Sequence, residues 1–237
     1  MNPLSSSVHA APADSDPGRS LAALMQAVVA SGTGRRCAHL TLLEDPFFHR
    51  LAPGSENEVV EFGLASGQVA AEMAVERWGR APEAIAAALQ VRVTRSQAPA
   101  ETGRSVLFSE YGNRPPSITL HMHSVGEANR LIRSQDLEAP LGVSDVGPIH
   151  LAHELYHHLE AQRLTPGTAG YRIQTGRLGP IRFRTGLPSL PEIAADCFAM
   201  GLLGLVVPPK AIEFITIYSL NPDYAWDVLA RLQALPA

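Results

Sequence analysis

The chain has 237 residues and is poor in cysteine, aromatic side chains and charge. Its two cysteines, Cys37 and Cys197, are too few for the disulfide framework of a small secreted domain. We expect both to be small buried side chains in a reducing compartment. The 19 basic residues are outnumbered by 23 acidic residues, which gives a formal net charge of −4. Because proteins that bind nucleic acid usually carry a basic excess, we expect no direct nucleic-acid binding.

Long hydrophobic runs are also missing. No stretch approaches the roughly 18 apolar residues that cross a bilayer, so we expect no membrane span and no membrane partner. Residues 1–19 lack the basic start and apolar run of a signal peptide, and we expect them to form a flexible tail. The apolar fraction of 46% supports a globular core. We expect one domain over residues 20–237, with a helical part at 20–80, a core at about 81–210 and C-terminal helices at 211–237.

The spacing of apolar residues places strands mainly before the longest helices, which is typical of an α+β fold. Predicted helices cover residues 20–30, 66–78, 83–89, 124–132, 146–162, 189–205, 211–218 and 224–235. Predicted strands cover residues 39–43, 91–95, 105–110 and 117–123, and short connections favour a small antiparallel sheet. Residues 171–175 and 181–185 predict a separate β-hairpin. A capping box at Ser124 and Glu127 and a cap at Asn221 are predicted starts of two helices.

One motif in the predicted helix 146–162 carries chemistry. His153-Glu154-Leu155-Tyr156-His157 matches the H-E-x-x-H pattern. Residues four apart lie one turn apart on the same helix face, so both imidazoles can reach one zinc ion. Glu154 lies about 100° around the helix from His153, from where it can reach a water on the open side of the metal. The pattern predicts His153 and His157 as ligands and Glu154 as the general base. A solvated helix face would show the same pattern.

A third ligand is expected downstream of this motif. Glu192 and Asp196 are one helical turn apart, and Glu192 could complete the three protein ligands of a catalytic zinc site. Asp196 could then accept the free N–H of a ligand histidine, with His153 as the expected partner. Ser189-x-x-Glu192 also matches a capping box, in which the glutamate only binds a backbone N–H. Both interpretations of Glu192 are open at this point.

These two motifs together carry a family resemblance. His153-Glu154-x-x-His157, followed by Glu192-Ile193-Ala194-Ala195-Asp196-Cys197-Phe198-Ala199, resembles the ImmA/IrrE family of zinc metallopeptidases, a branch of the gluzincins. The resemblance spans roughly residues 66–209 and includes the predicted strand 117–123, which is similar to the family's edge strand. The long connection between His157 and Glu192 departs from the family pattern. No helix-turn-helix is evident at the N-terminus, so the DNA binding of some relatives is not expected here.

The resemblance implies a fold and a function. It implies a zincin-like, mainly helical core around the active-site helix, with the catalytic part at about residues 81–210. It implies one Zn2+ per chain held by His153, His157 and Glu192, with Asp196 supporting a ligand. It further implies a cytoplasmic peptidase that cleaves a protein or peptide substrate, such as a transcriptional regulator, by metal-activated water with Glu154 as the base. Two alternatives use the same residues: a non-catalytic protein-binding module with a structural zinc site, and a zinc hydrolase of non-peptide substrates.

Other polar side chains are weaker candidates. Tyr171, His123 and Tyr111 are candidates to hold the oxyanion or the substrate. His121 and His123 share one face of the predicted strand, where they could bind a metal, lie on an exposed edge or line the cleft. Between Glu160 and Glu192 there is no acidic residue, but there are five arginines, at positions 163, 172, 177, 182 and 184. This segment is either a solvated basic hairpin or a basic rim that selects acidic protein segments.

Overall fold

The computed structural model describes residues 19–98, 101–102 and 105–236, and it has the predicted α+β composition. The predicted tail lies outside the described residues, except for Arg19. The helices are α1 (Leu21–Ser31), α2 (Gly34–Leu43), α3 (Glu56–Trp78), α4 (Pro82–Ala88), α5 (Met122–Ser134), α6 (Glu138–Leu141), α7 (Gly147–Ala161), α8 (Ser189–Leu203), α9 (Pro209–Leu220) and α10 (Pro222–Gln233). The strands are β1 (Arg92–Ser96), β2 (Glu101–Thr102), β3 (Ser105–Val106), β4 (Ser109–Asn113), β5 (Pro116–His121), β6 (Ile173–Leu178) and β7 (Ile181–Thr185).

The main sheet has three strands in the order β1-β5-β4. β4 and β5 pair in antiparallel fashion, as predicted, but β1 and β5 are parallel. The prediction of a purely antiparallel sheet is therefore wrong. A parallel pair needs a long connection, and the segment between β1 and β5 supplies one because it contains both the short β2–β3 ladder and β4. The predicted hairpin is confirmed as β6 and β7.

Three further predictions differ from the structure. Residues 39–43, predicted as a strand, form the end of α2, whose start is capped by the Thr33 hydroxyl. β5 ends at His121 and α5 begins at Met122, so His121 and His123 do not share a strand face. The predicted capping box is absent because α5 starts before Ser124. The cap at Asn221 is confirmed: its side chain accepts a hydrogen bond from the backbone N–H of Tyr224 at 3.1 Å.

Helix α8 packs tightly between α3 and α7. Glycines make the contact with α3 possible, because a Cβ atom at Gly67 would lie 2.7 Å from the Cβ atom of Cys197. A Cβ atom at Gly63 would lie 2.8 Å from Cγ2 of Ile193. On its other side, α8 contributes Phe198 to the core, where its ring packs 5.9 Å from that of Tyr156 on α7. The lateral position of α8 is thus fixed by close packing.

The two cysteines differ in burial. Cys37 is buried and Cys197 is half-buried, and neither forms a disulfide. Burial raises the pKa of Cys37 to about 12 and that of Cys197 to about 11, so both thiols stay protonated at neutral pH. Among the described residues, no helix combines the length and the apolar character that a bilayer crossing requires.

Substitution of Gly67 by alanine should destabilise the protein by about 1–3 kcal/mol, because the added methyl group forces α3 and α8 apart. Gly126 is the matched control. It lies in α5 with no atom near its Cβ position, so Gly126→Ala should stabilise the protein by about 0.5–1 kcal/mol through helix propensity. Urea denaturation of the three proteins measures both effects. Equal stability of Gly67→Ala and Gly126→Ala would contradict the close packing described here.

Candidate metal centre

Helices α7 and α8 bring three potential metal ligands to one point. The Nε2 atoms of His153 and His157 are 3.2 Å apart. The Glu192 carboxylate lies beside both, with Oε2 3.2 Å from Nε2 of His153 and Oε1 3.6 Å from Nε2 of His157. Two nitrogens bound to one zinc at tetrahedral angles would be about 3.3 Å apart, since Zn–N bonds are about 2.0–2.1 Å long. The spacing and the donor types show that this group could hold a metal ion.

The local sequence explains why the two histidines point the same way. They are one turn apart on α7, whose opposite face is buried through Leu151, Leu155 and Leu159. The start of α7 is held by Asp145, whose Oδ1 atom accepts the backbone N–H of Gly147 at 2.9 Å. The buried face thus orients the helix and leaves His153 and His157 half-buried on its other side.

Glu192 reaches the histidines instead of capping its own helix. Pro188 precedes α8 as its N-cap residue, and Ser189 is already its first helical residue. The backbone N–H of Ser189 donates to Oδ2 of Asp45 at 2.8 Å, so a distant aspartate binds the helix start. The capping-box interpretation of Glu192 is therefore wrong. No sequence pattern marks the contact of Asp45 with Ser189, because the two residues are 144 positions apart in the chain.

Asp196 contacts the ring nitrogen of His153 that faces away from the candidate centre. Its Oδ1 atom lies 3.0 Å from Nδ1 of His153, at hydrogen-bond distance. An Nδ1–H group that donates to a carboxylate leaves the Nε2 lone pair free to face the candidate centre. The structure thus places Asp196 where the motif spacing puts it, one helical turn after Glu192.

In the absence of a metal, contacts within the centre shift the pKa values of His153 and Glu192 in opposite directions. Burial by itself lowers the pKa of His153, but hydrogen bonds to Asp196 and Glu192 raise that pKa well above 6.5. Burial raises the pKa of Glu192, yet its contacts with His153 and His157 bring that pKa far below its ordinary value. The contacts in the metal-free group therefore favour a protonated imidazole between carboxylates, and a metal cation would replace that positive charge.

Glu154 is held on the side of α7 that faces β4. Its carboxylate is buried, and Oε1 accepts a hydrogen bond of 2.7 Å from the Ser109 hydroxyl. Ser109 is the first residue of β4, which packs along α7. No sequence motif marks Ser109, because its contact with Glu154 depends on how the sheet lies beside the helix. The hydrogen bond fixes one oxygen of the predicted general base.

The two tyrosine candidates for oxyanion stabilisation have hydrogen-bond partners outside the His153–His157–Glu192 group. The Tyr111 hydroxyl lies 3.0 Å from Nδ1 of His158, and the Tyr171 hydroxyl lies 3.5 Å from Oε1 of Glu58. His123 is exposed in the first turn of α5. Within the described part of the chain, none of the three forms a hydrogen bond with the His153–His157–Glu192 group.

The other histidines near the motif are His150 and His158, and their surroundings differ from those of the candidate ligands. His150 stacks on Phe108 with ring centroids 4.1 Å apart, and burial lowers its pKa to about 3, so it is neutral. His158 is buried, which lowers its pKa as well. Among the described residues, neither belongs to the His153–His157–Glu192 group. His121 is also buried, and its Nε2 atom lies 3.6 Å from Oε1 of Glu110.

A cavity of about 320 Å³ adjoins the centre on the α8 side. It is lined by Thr41, Glu44, Asp45, Pro46, His153, Pro188, Ser189, Glu192, Asp196, Lys210 and Glu213. Lys210 forms ion pairs with Glu44 at 3.2 Å and with Glu213 at 3.0 Å. Burial lowers the pKa of Lys210, but the two carboxylates raise it above its ordinary value, so the ammonium group stays charged. Glu154 is not among the lining residues.

Replacing Asp196 by asparagine should weaken zinc binding by about 10–100-fold, because His153 loses the carboxylate that orients it. Asp227→Asn is the control, since Asp227 is an exposed residue of α10. Competition with a chelator of known affinity measures both values. Equal zinc affinities of the two variants would show that Asp196 does not support the centre.

The zinc affinity of the wild-type chain should rise with pH across the neutral range. Because the pKa of His153 is raised in the metal-free protein, zinc must displace a proton from it. For one displaced proton, each pH unit below that pKa costs about tenfold in affinity. Asp196→Asn should flatten this slope, because one hydrogen bond that raises the pKa is weakened. Chelator competition between about pH 6 and pH 8, corrected for chelator protonation, tests this. An affinity independent of pH would contradict it.

Comparison of the chain with protein-family models, with curated proteins and with solved structures found no match in any of the three searches. The chemistry of the centre is therefore inferred from its own residues.

Proposed function

We propose that the protein is a zinc-dependent peptidase. The observation that supports this most is the convergence of the two histidine Nε2 atoms and the Glu192 carboxylate at separations that suit one zinc ion. Three protein ligands leave a fourth position for water or substrate, which is the pattern of catalytic rather than structural zinc sites. When bound, zinc polarises a carbonyl group and lowers the pKa of a coordinated water.

The residues around the ligands have separate roles in this proposal. His153, His157 and Glu192 hold one Zn2+ per chain, and Asp196 keeps His153 in the tautomer that binds metal. Glu154 accepts a proton from the attacking water and later passes it to the leaving amine. The Ser109 hydroxyl occupies Oε1 of Glu154, which leaves Oε2 for the proton. Burial of Glu154 keeps this carboxylate in one orientation.

The sheet offers a place for an extended substrate. β4 lies at the edge of the β1-β5-β4 sheet and packs along α7. An edge strand can pair with a peptide through backbone hydrogen bonds, which would lay the peptide beside the active-site helix. The family resemblance indicates that the segment 117–123 is the edge strand. In this sheet the strand of that segment, β5, is central, so the edge strand beside α7 is β4.

The resemblance to the ImmA/IrrE family extends the proposal. It suggests a zincin-like core, a cytoplasmic location and a regulatory protein substrate such as a transcriptional regulator. The main alternative is a non-catalytic protein-binding module that uses zinc structurally. The observation in favour of this alternative is the buried hydrogen bond between Glu154 and Ser109, since it could serve packing alone.

Substitution of Glu154 by glutamine separates the two functions. In a peptidase it should lower cleavage by about 10²–10⁴-fold, because the general base is lost while the zinc ligands remain. Glu76→Gln, an exposed change on α3, is the control. Fluorescein-labelled casein and a mixed peptide library, analysed by mass spectrometry, serve as substrates, and zinc content is measured in parallel. Unchanged cleavage by Glu154→Gln would exclude Glu154 as the base, and absence of cleavage by the wild-type protein would favour the binding module.

A further inference from the structure

The hairpin formed by β6 and β7 has one basic face. Arg177 lies directly opposite Arg182 across the ladder, and Arg184 is two residues beyond Arg182 on β7. Directly opposite residues, and residues two apart on a strand, point to the same side of a sheet. The side chains of Arg177, Arg182 and Arg184 therefore project from one face, and all three residues are exposed. We refer to these three residues as the basic face.

The charge of the basic face is not neutralised within the described part of the chain. None of the ion pairs there involves the three arginines. Among the described residues, Arg177 is the one member of the basic face with a side-chain hydrogen bond, which its Nε–H donates to the backbone oxygen of Gly179 at 2.7 Å. Like charges directly opposite each other destabilise a ladder, so the pairing of Arg177 with Arg182 does not serve the stability of the hairpin. An anionic partner would remove this repulsion.

The hairpin is attached close to the candidate centre. At its base, Tyr171 and Ile173 pack on a core cluster built from Leu187 and residues of α2, α3 and α8. β7 ends at Thr185, and α8, which carries Glu192, begins only a few residues later. Neither β6 nor β7 pairs with a third strand among the described residues, so an extended segment could add to either edge. A chain bound along the hairpin would thus lie near the residues proposed to hold zinc.

We propose that the basic face binds an acidic segment of the protein substrate, an inference that rests on the peptidase function proposed above. The chain as a whole carries a net charge of −4, which opposes the approach of a long polyanion such as nucleic acid. A short acidic segment would instead meet the local positive charge. The other face of the hairpin exposes Phe183 and Leu178, at 51% and 69%, and these side chains offer apolar contacts that suit a polypeptide.

Peptide binding tests this inference without turnover. The full-length Glu154→Gln protein, supplied with zinc, is titrated against a short fluorescein-labelled Glu-Ser peptide and followed by fluorescence anisotropy. The same peptide with Gln at each Glu position is the uncharged control. The test variant is Arg182→Glu with Arg184→Glu, and Arg92→Glu with Arg133→Glu is its match, because both of these arginines are exposed elsewhere. Arg182→Lys with Arg184→Lys keeps the charge.

We expect the acidic peptide to bind and the Gln peptide to bind much more weakly. The double glutamate variant at 182 and 184 should weaken binding by roughly tenfold or more, while the matched variant and the lysine variant stay within about twofold of the parent. Added salt should weaken binding of the acidic peptide, since the contacts are exposed.

Three results would overturn the inference. They are equal binding of the acidic and Gln peptides, undiminished binding by the double glutamate variant, and tighter binding of a single-stranded oligonucleotide than of the acidic peptide. Peptide binding that meets the expectations, together with a wild-type protein that cleaves nothing, would support the basic face and contradict the peptidase function. Failure of the basic-face inference can therefore be distinguished from failure of the proposed peptidase function.

Discussion

The packing of α8 against α7 is the constraint on which the candidate centre depends. The helix α7 alone supplies His153 and His157, but Glu192 and Asp196 arrive on α8, so the four side chains meet only if the two helices stay in contact. α8 is held laterally by the glycines of α3 and at its start by Asp45. A small displacement of α8 would move a ligand and its supporting carboxylate together, since both lie one turn apart on that helix.

At the candidate centre, burial and the contacts between side chains have opposite effects on the stability of the charged groups. Burial penalises the charges of His153 and Glu192, yet the imidazole–carboxylate contacts favour a protonated His153 and an ionised Glu192 in the absence of metal. The assembly has a strong preference for positive charge at one position. A divalent cation with two neutral imidazoles and one carboxylate as ligands satisfies that preference with a donor set suited to zinc. The basic face of the β6–β7 hairpin is a separate region of unneutralised positive charge on the segment that leads into α8.

Local patterns predicted the elements whose residues interact within one or two turns. The extent of α7, the β6–β7 hairpin and the Asn221 cap are of this kind, and the structure has them. The strand prediction for residues 39–43 was wrong because a short apolar run fits a strand or a helix equally well. These residues form the end of α2, where packing against the core favours the helix. The parallel pairing of β1 and β5 is set by chain topology. Ser109 and Asp45 contact residues 45 and 144 positions away, so no local pattern could assign them.

Metal analysis of the purified chain shows whether His153, His157 and Glu192 form one zinc site. The protein is prepared without chelator and without added metal, beside His153→Ala, Glu192→Ala and His49→Ala, the last being an exposed histidine outside the centre. We expect close to one zinc per chain for the wild type and for His49→Ala, and loss of zinc in the other two variants. A wild-type chain that contains no zinc and takes up none when zinc is supplied would contradict this expectation.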